Sequence, residues 1–318
     1  MGLLTKPVEP MFFRWSGEYS PNFSGPMNKG VSEPLPLMST IAGALYKAVK
    51  GLDPLKPGKE MEQFKGVLGE LWGPLIYVKG KRKKGGNKGE YLLVHQYPGK
   101  LLVLRLEESG VVLNRIKKEE KGGDDENEVD EIIPKQVSKI GVGRDLAKRS
   151  AMDHLLYSSQ FVDFYATISS EFENVEKWGI YVETGVKYEG VLELGGEGRL
   201  VKVEKFDLKI PESKGELSIL LSPALLSVGC GKWVLIDDIL NEKVENYTLK
   251  DIVCGAKIGV IGTGFNTSMR ARRPLYPALM PGSILKVRDR KIGELKELGW
   301  GSLLGFSDEN GCEGNRSR

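Results

Sequence analysis

The sequence predicts an α+β fold with more strand than helix. Short apolar runs, several of them alternating, recur along the chain at Leu75–Lys79, Tyr91–Gln96, Leu101–Leu106, Val111–Asn114, Val191–Leu194, Leu200–Lys205 and Glu216–Leu221. Only Ser32–Gly51 shows a clear helical period. No internal repeat points to a solenoid. At 318 residues and 40% hydrophobic content, the chain can hold two domains of ordinary size. Periodicity leaves open whether the strands form one large sheet or two small ones.

The elements follow in order. Val8–Arg14 reads as a first strand leading into a Gly/Pro-rich loop, Ser16–Gly30. Pro34 and Pro36 then force an extended approach. Ser39 or Thr40 offers an N-cap hydroxyl. Ile41, Ala44, Leu45, Ala48 and Val49 line one helix face, and Gly51 closes the helix. Its first turn, with Lys29 and Arg14 nearby in sequence, can hold a phosphate; an ordinary capped core helix explains the same spacing. The strands at 75–79 and 91–96 flank a basic loop, residues 79–90, whose six Lys or Arg suit either a phosphate contact or a solvated hairpin tip. A hairpin turns at Ser109-Gly110. The acidic run Glu119–Glu131 has almost no apolar content and is expected to be a mobile loop. Beyond it, Phe161–Ser169, Lys257–Ile261 and Ser283–Val287 read as strands, and Ser222–Val228 as a short helical turn.

Composition narrows the function. The formal net charge is only +3, so binding a polyanion requires local patches. Cys230, Cys254 and Cys312 are far apart and form no CxxC, which argues against a disulfide framework and a zinc ribbon. No apolar run approaches the roughly 18 residues of a membrane span. The opening MGLLTKPVEP has no signal-peptide core, and Lys6 breaks the myristoylation pattern. A reduced, cytoplasmic setting without membrane association is expected. Scarce Gln and Cys with abundant Lys and Glu lean towards a thermophile.

Three glycine-rich segments end in arginine. In Gly259–Arg273, Gly262 and Gly264 permit close backbone approach, Asn266 can hydrogen-bond, Phe265 can stack on a base, and Arg270, Arg272 and Arg273 supply charge. That combination suits single-stranded RNA; a tight turn before a basic strand edge is the bland explanation. Thr267 occupies the third glycine position of a dinucleotide fingerprint and rules that motif out. Gly195, Gly196 and Arg199 belong to a second turn, explicable as a β-hairpin or as a phosphate contact. Gly141 and Arg144, followed by Lys148 and Arg149, form a smaller version. Gly122-Gly123-Asp124-Asp125 mimics a metal-binding hairpin, but its flanks KKEEK and ENEVDE lack the apolar strands that would fix the carboxylates. The two histidines, His95 and His154, form no metal or catalytic pair, and no HExxH or Walker loop is present. No cofactor and no metal site is expected.

The segment SEPLPLMSTIAGALYKAVKG resembles the N-terminal fingerprint of the RAMP superfamily of CRISPR proteins. IGVGRDLAKRSAMDHLLY, LELGGEGRLVKVE, and GVIGTGFN with RRPLYPALMPGSILKV follow in the family's order and together cover most of the chain. The chain is most similar to the third-subunit family of type III-B (Cmr) effector complexes. The resemblance implies two facing ferredoxin-like (RRM-like) domains, here residues 1–140 and 141–318, with Gly-rich loops and inserted hairpins. It implies a non-catalytic subunit that caps the 5′ repeat-derived tag of the guide RNA. It also implies docking to the large polymerase/cyclase-like subunit and to a backbone RAMP subunit. The RNA contacts would come from Arg14, Lys29, Ser39, Thr40 and Lys47, together with the residues of the three glycine segments. The family often has arginine directly after Gly-Ala-Leu, where this chain has Tyr46 and then Lys47. A Gly-Gly-Trp-like segment reads Gly-Thr-Gly-Phe here. A guide-processing endoribonuclease of the same superfamily and a protein-only adaptor are the competing readings.

Overall fold

Short apolar runs bounded by turn residues give a fold whose regular structure is mostly antiparallel sheet. The computed structural model describes residues 1–15, 29–51, 59–117, 127–145, 150–212, 215–227, 239–262, 265–266, 271–272 and 275–308. In chain order the first elements are β1 (Gly2–Pro7), β2 (Lys29–Val31), α1 (Met38–Lys50), α2 (Glu60–Leu68), β3 (Trp72–Arg82), β4 (Lys88–Gln96), β5 (Lys100–Glu107) and β6 (Gly110–Leu113). Next come β7 (Arg115–Lys117), β8 (Asn127–Val129), β9 (Glu131–Ile132), β10 (Gln136–Asp145), β11 (Ser150–Val162), α3 (Phe164–Glu171), β12 (Phe172–Glu183), β13 (Gly190–Glu193) and β14 (Leu200–Lys205). The remainder is short: β15 (Leu217–Leu220), β16 (Ala224–Leu225), β17 (Lys243–Val244), β18 (Tyr247–Thr248), β19 (Val253–Gly255) and β20 (Ile258–Gly262). It ends with β21 (Phe265–Asn266), β22 (Ala271–Arg272), β23 (Leu275–Leu279), β24 (Ile284–Leu285) and β25 (Leu303–Phe306).

The main sheet runs β13-β14-β1-β12-β3-β4-β5-β6, with β9 beside β5. β1 and β3 are both antiparallel to β12, which lies between them, so they are parallel to each other. Parallel strands need a crossover, and α1 with α2 supplies it: a split β-α-β unit. One sheet face packs Ile76, Val78, Leu93, Ile180 and Val203 against Ile41, Leu45 and Phe64 of the helices. The other packs Leu75, Tyr77, Leu92 and Leu104 against Ile219, Leu304 and Phe306 of a small sheet ordered β19-β24-β15-β25. β10-β11-β2 and β16-β23-β20 form further sheets. Pairs β7–β8, β17–β18 and β21–β22 are local ladders.

Several expectations are corrected. The first strand is Gly2–Pro7, not Val8–Arg14. Pro7 and Pro10 lack the N–H groups a strand there would need; only Met11 bridges, to Val162. Leu37, not Ser39 or Thr40, is the N-cap of α1 and makes no side-chain cap bond. The buried face of α1 is Met38, Ile41, Ala42, Leu45 and Tyr46, while Val49 is exposed. Gly51 does close the helix, at φ 73°. The expected strand Phe161–Ser169 is the end of β11 followed by α3, because the Asp163 side chain accepts the Ala166 N–H as an N-cap. Ser222–Val228 contains β16 rather than a helical turn. Cys254 is disulfide-bonded, against expectation; Cys230 and Cys312 both lie outside the described residues. The main sheet takes strands from both sides of residue 140, so a division there does not follow the hydrogen-bonding.

Candidate nucleic-acid interface

The segment after β1 is a hub. Phe13 N–H donates to Ser32 Oγ at 2.8 Å, Glu33 N–H to the Phe13 carbonyl at 2.8 Å, and Trp15 Nε1–H to the Leu35 carbonyl at 2.7 Å. These bonds tie residues 11–15 to the Pro-rich lead into α1. The glycine turn docks on the same segment: Gly196 N–H donates to the Phe12 carbonyl at 2.9 Å. Gly195 has φ +84°, and a Cβ there would lie 2.8 Å from the Phe12 carbonyl oxygen. Both features demand glycine, so close packing on Phe12 and Phe13 accounts for it. β2 joins β11 in parallel, pairing Gly30 with Ser159, and Phe12 stacks tilted on Phe161 at 5.1 Å.

The structure therefore brings together Arg14, the backbone of Lys29, the α1 N-terminus, the 194–199 turn and the β10–β11 hairpin. Arg14 is exposed, and Ser39 and Thr40 are half-buried. Lys47 pairs with Glu193 beside the turn at 2.7 Å. Arg199 sits largely buried, paired with Glu9 and Glu197, its guanidinium over Phe161. Gly141 and Arg144 lie in β10, opposite Tyr157 and Ala151. The third motif is separate, continuing beyond β20 and β23, where Phe265 pairs with Arg272 and Asn266 with Ala271 in a short ladder. Gly264, Arg270 and Arg273 lie outside the described residues, as do Gly122, Gly123, Asp124 and Asp125.

The basic loop is largely neutralised at home. Lys79 pairs with Glu90 and Glu176, Lys81 with Glu173, and Lys88 with Glu176. Lys83 donates to the Ser169 carbonyl at 2.8 Å. Arg82 is fully buried, gripping Asp130 through Nε at 2.9 Å and Nη2 at 2.7 Å, and Glu171 through Nη1 at 2.6 Å. Asn114 adds a bond to Asp130 at 2.8 Å. Thus the end of the acidic run is not a mobile loop: Asp130 is a fully buried anchor between β8 and β9. Sequence reading missed this pair because its partners hide inside runs of like charge.

His95 is buried too. Its Nε2 lies 3.0 Å from Glu33 Oε2, which also accepts the Gly99 N–H at 2.9 Å, and Trp15 packs edge-on at 4.6 Å. Burial holds the imidazole pKa below its ordinary value, outweighing Glu33, and Lys257 pushes the same way as burial. Nδ1 has no partner, so a second proton there would be buried unsatisfied. The folded state thus holds His95 neutral, and the unfolded chain binds its proton near pH 6.5. Stability from this residue is full above that pH and is lost as pH falls through it towards the lower folded value. Unfolding between pH 7.5 and 5.5 should show this loss, with a shallower slope in His95→Gln; equal slopes would contradict it. The side chain of His154 is outside the description.

Among the described residues no group of three or more His, Cys, Asp or Glu is placed to hold a metal. No described helix is long and apolar enough to cross a membrane. No protein-family model matches the chain. It is 28% identical over 298 residues, 89% of this chain and 85% of the relative, to a Saccharolobus solfataricus protein named CRISPR system CMR subunit Cmr3. Solved structures share its fold, two of them Cmr-beta complexes. One, described as type III-B Cmr-beta bound to cognate target RNA and AMPPnP, contains a chain with TM-score 0.57 and 20% identity, covering 90% of this chain and 86% of its own. The other, Cmr-beta bound to cognate target RNA, gives TM-score 0.53 and 21% identity over the same shares.

Proposed function

We propose that this chain is a non-catalytic RNA-binding subunit of a type III-B CRISPR (Cmr) ribonucleoprotein in the RAMP superfamily. The observation that carries the reading is the match along 89% of the chain to a relative named as a Cmr subunit. Its geometry fits: the fingerprint helix, the glycine turn with Arg199 and the β10–β11 hairpin meet at one hub, though they come from three distant stretches of sequence. In this reading the subunit caps the 5′ tag of the guide RNA, and docks the large polymerase/cyclase-like subunit and a backbone RAMP subunit. Arg14, Lys29, Ser39, Thr40, Lys47 and the arginines of the glycine segments contact RNA. Arginines fix register on phosphates, and exposed aromatics stack on splayed bases.

The reading takes the chain as two ferredoxin-like units. The strand order β14-β1-β12-β3 with its split β-α-β supports the first, with the stretch from β4 to α3 inserted between β3 and β12. A boundary near residue 140 then falls inside that insertion. Action in the cytoplasm is compatible with the Cys254 disulfide in a hyperthermophile, whose intracellular proteins are disulfide-rich.

Purified alone, the chain should leave repeat RNA and target RNA intact, with or without Mg²⁺, while retaining labelled guide RNA in a salt-dependent manner. Gel analysis and filter binding measure both. Specific cleavage that disappears in His154→Ala would make the chain a processing endoribonuclease instead. Failure to retain guide RNA at any salt would leave a protein-only adaptor.

A further inference from the structure

Phe161 carries two cations on one ring. The Arg199 guanidinium carbon lies 4.7 Å from the ring centroid, and Lys139 Nζ lies 5.1 Å from it. They arrive from different elements. Arg199 ends the glycine turn before β14, and Lys139 stands in β10 opposite Ser159. Phe161 itself is fully buried against Phe12, so no base can stack on it. What the ring offers is a π-system that attracts both positive charges.

Two carboxylates accompany the two cations, and both of them sit on Arg199. Arg199 is paired with Glu9 and, at 3.6 Å, with Glu197. Lys139 is exposed and has no carboxylate partner among the described residues. Two buried donors beside the ring also lack acceptors: Arg199 Nε and Ser159 Oγ. Ser159 is 1% exposed and sits next to Gly30, where a Cβ would lie 3.4 Å from Oγ. A like-charged pair with unsatisfied donors at its base is an arrangement that an anion completes.

We infer that Lys139 and Arg199, held on Phe161, form a phosphodiester-binding subsite in which Glu9 is the resident counter-ion that an RNA phosphate displaces. The inference rests on the RNA-binding reading above and adds a residue, Lys139, that no sequence motif marks. The subsite reads backbone charge and not base identity. One phosphodiester, or two successive ones, can meet both cations, so it fixes the path of the strand.

The test is guide-RNA affinity across a salt series for the full chain. Lys139→Ala and Lys139→Gln should each weaken binding several-fold and reduce the salt slope by roughly 0.7, the share of one phosphate contact on a single strand. Their thermal unfolding should match wild type, because Lys139 is exposed. Glu9→Gln should bind RNA more tightly at low salt, because the competing carboxylate is gone. If wild type binds RNA and the Lys139 variants keep its affinity and slope, the subsite is wrong and the RNA-binding reading stands. If wild type binds no RNA, that underlying reading fails. Weaker binding by Glu9→Gln would mean that Glu9 positions Arg199, overturning its counter-ion role.

Discussion

Replacing Asp130 with alanine should destabilise the protein by about 3–5 kcal/mol, the cost of stranding a buried charge. Arg82 and Asp130 are both fully buried and joined by two hydrogen bonds, and Glu171 takes the third guanidinium nitrogen. The Arg82 guanidinium also lies 5.2 Å from the Phe172 ring centroid. Removing Asp130 leaves a guanidinium that cannot reach water and frees the Asn114 amide. The fork ties β3 to the residue between β8 and β9 and to the end of α3, so the whole insertion between β3 and β12 should loosen. Urea unfolding measures the loss. A double replacement, Arg82→Met with Asp130→Leu, should recover much of it, because an apolar pair of similar volume removes both charges together. A loss below about 1 kcal/mol in Asp130→Ala would show that water reaches the site, since that is the range of exposed pairs.

Combining Arg270→Ala, Arg272→Ala and Arg273→Ala should weaken guide-RNA binding by roughly a thousandfold, at about 1.5 kcal/mol for each lost charge-assisted contact. The salt slope should fall by about 2, at roughly 0.7 for each phosphate contact. The comparison pair is Lys81→Ala with Lys83→Ala. Little change is expected there, because Lys81 is paired with Glu173 and the Lys83 ammonium donates to the Ser169 carbonyl. Guide affinity at several salt concentrations separates the two. If the lysine pair matters and the arginines do not, the RNA runs over the β3–β4 hairpin.

The β3–β6 meander was legible because its strands are short continuous apolar runs that end in turn residues. β12 was not, although it is the centre of the first split unit. Glu173, Glu176 and Lys177 crowd its first half, where it pairs with the charged end of β3. Only the partner strand makes sense of those charges. Asp163 was a visible capping signal, but the β-branched residues around it read as strand. At the interface, the glycine turn and Arg199 were visible, and the reason for the glycines was not. Gly195 and Gly196 meet Phe12 and Phe13 from a stretch some 180 residues away. Lys139 stands in an unremarkable strand and is singled out only by its position over Phe161. The charge of residues 79–90 left a phosphate contact and a solvated tip equally open, because its partners on β12 and at Asp130 are tertiary.

The most direct test of the central claim is to purify the tagged chain from its own cells, sequence the RNA that accompanies it, and identify the accompanying proteins by mass spectrometry. The account predicts guide RNAs sharing one 5′ repeat-derived tag, recovered with a large polymerase/cyclase-like subunit and a backbone RAMP subunit. Recovery of the chain without RNA, or with RNA lacking a common 5′ end, would contradict it.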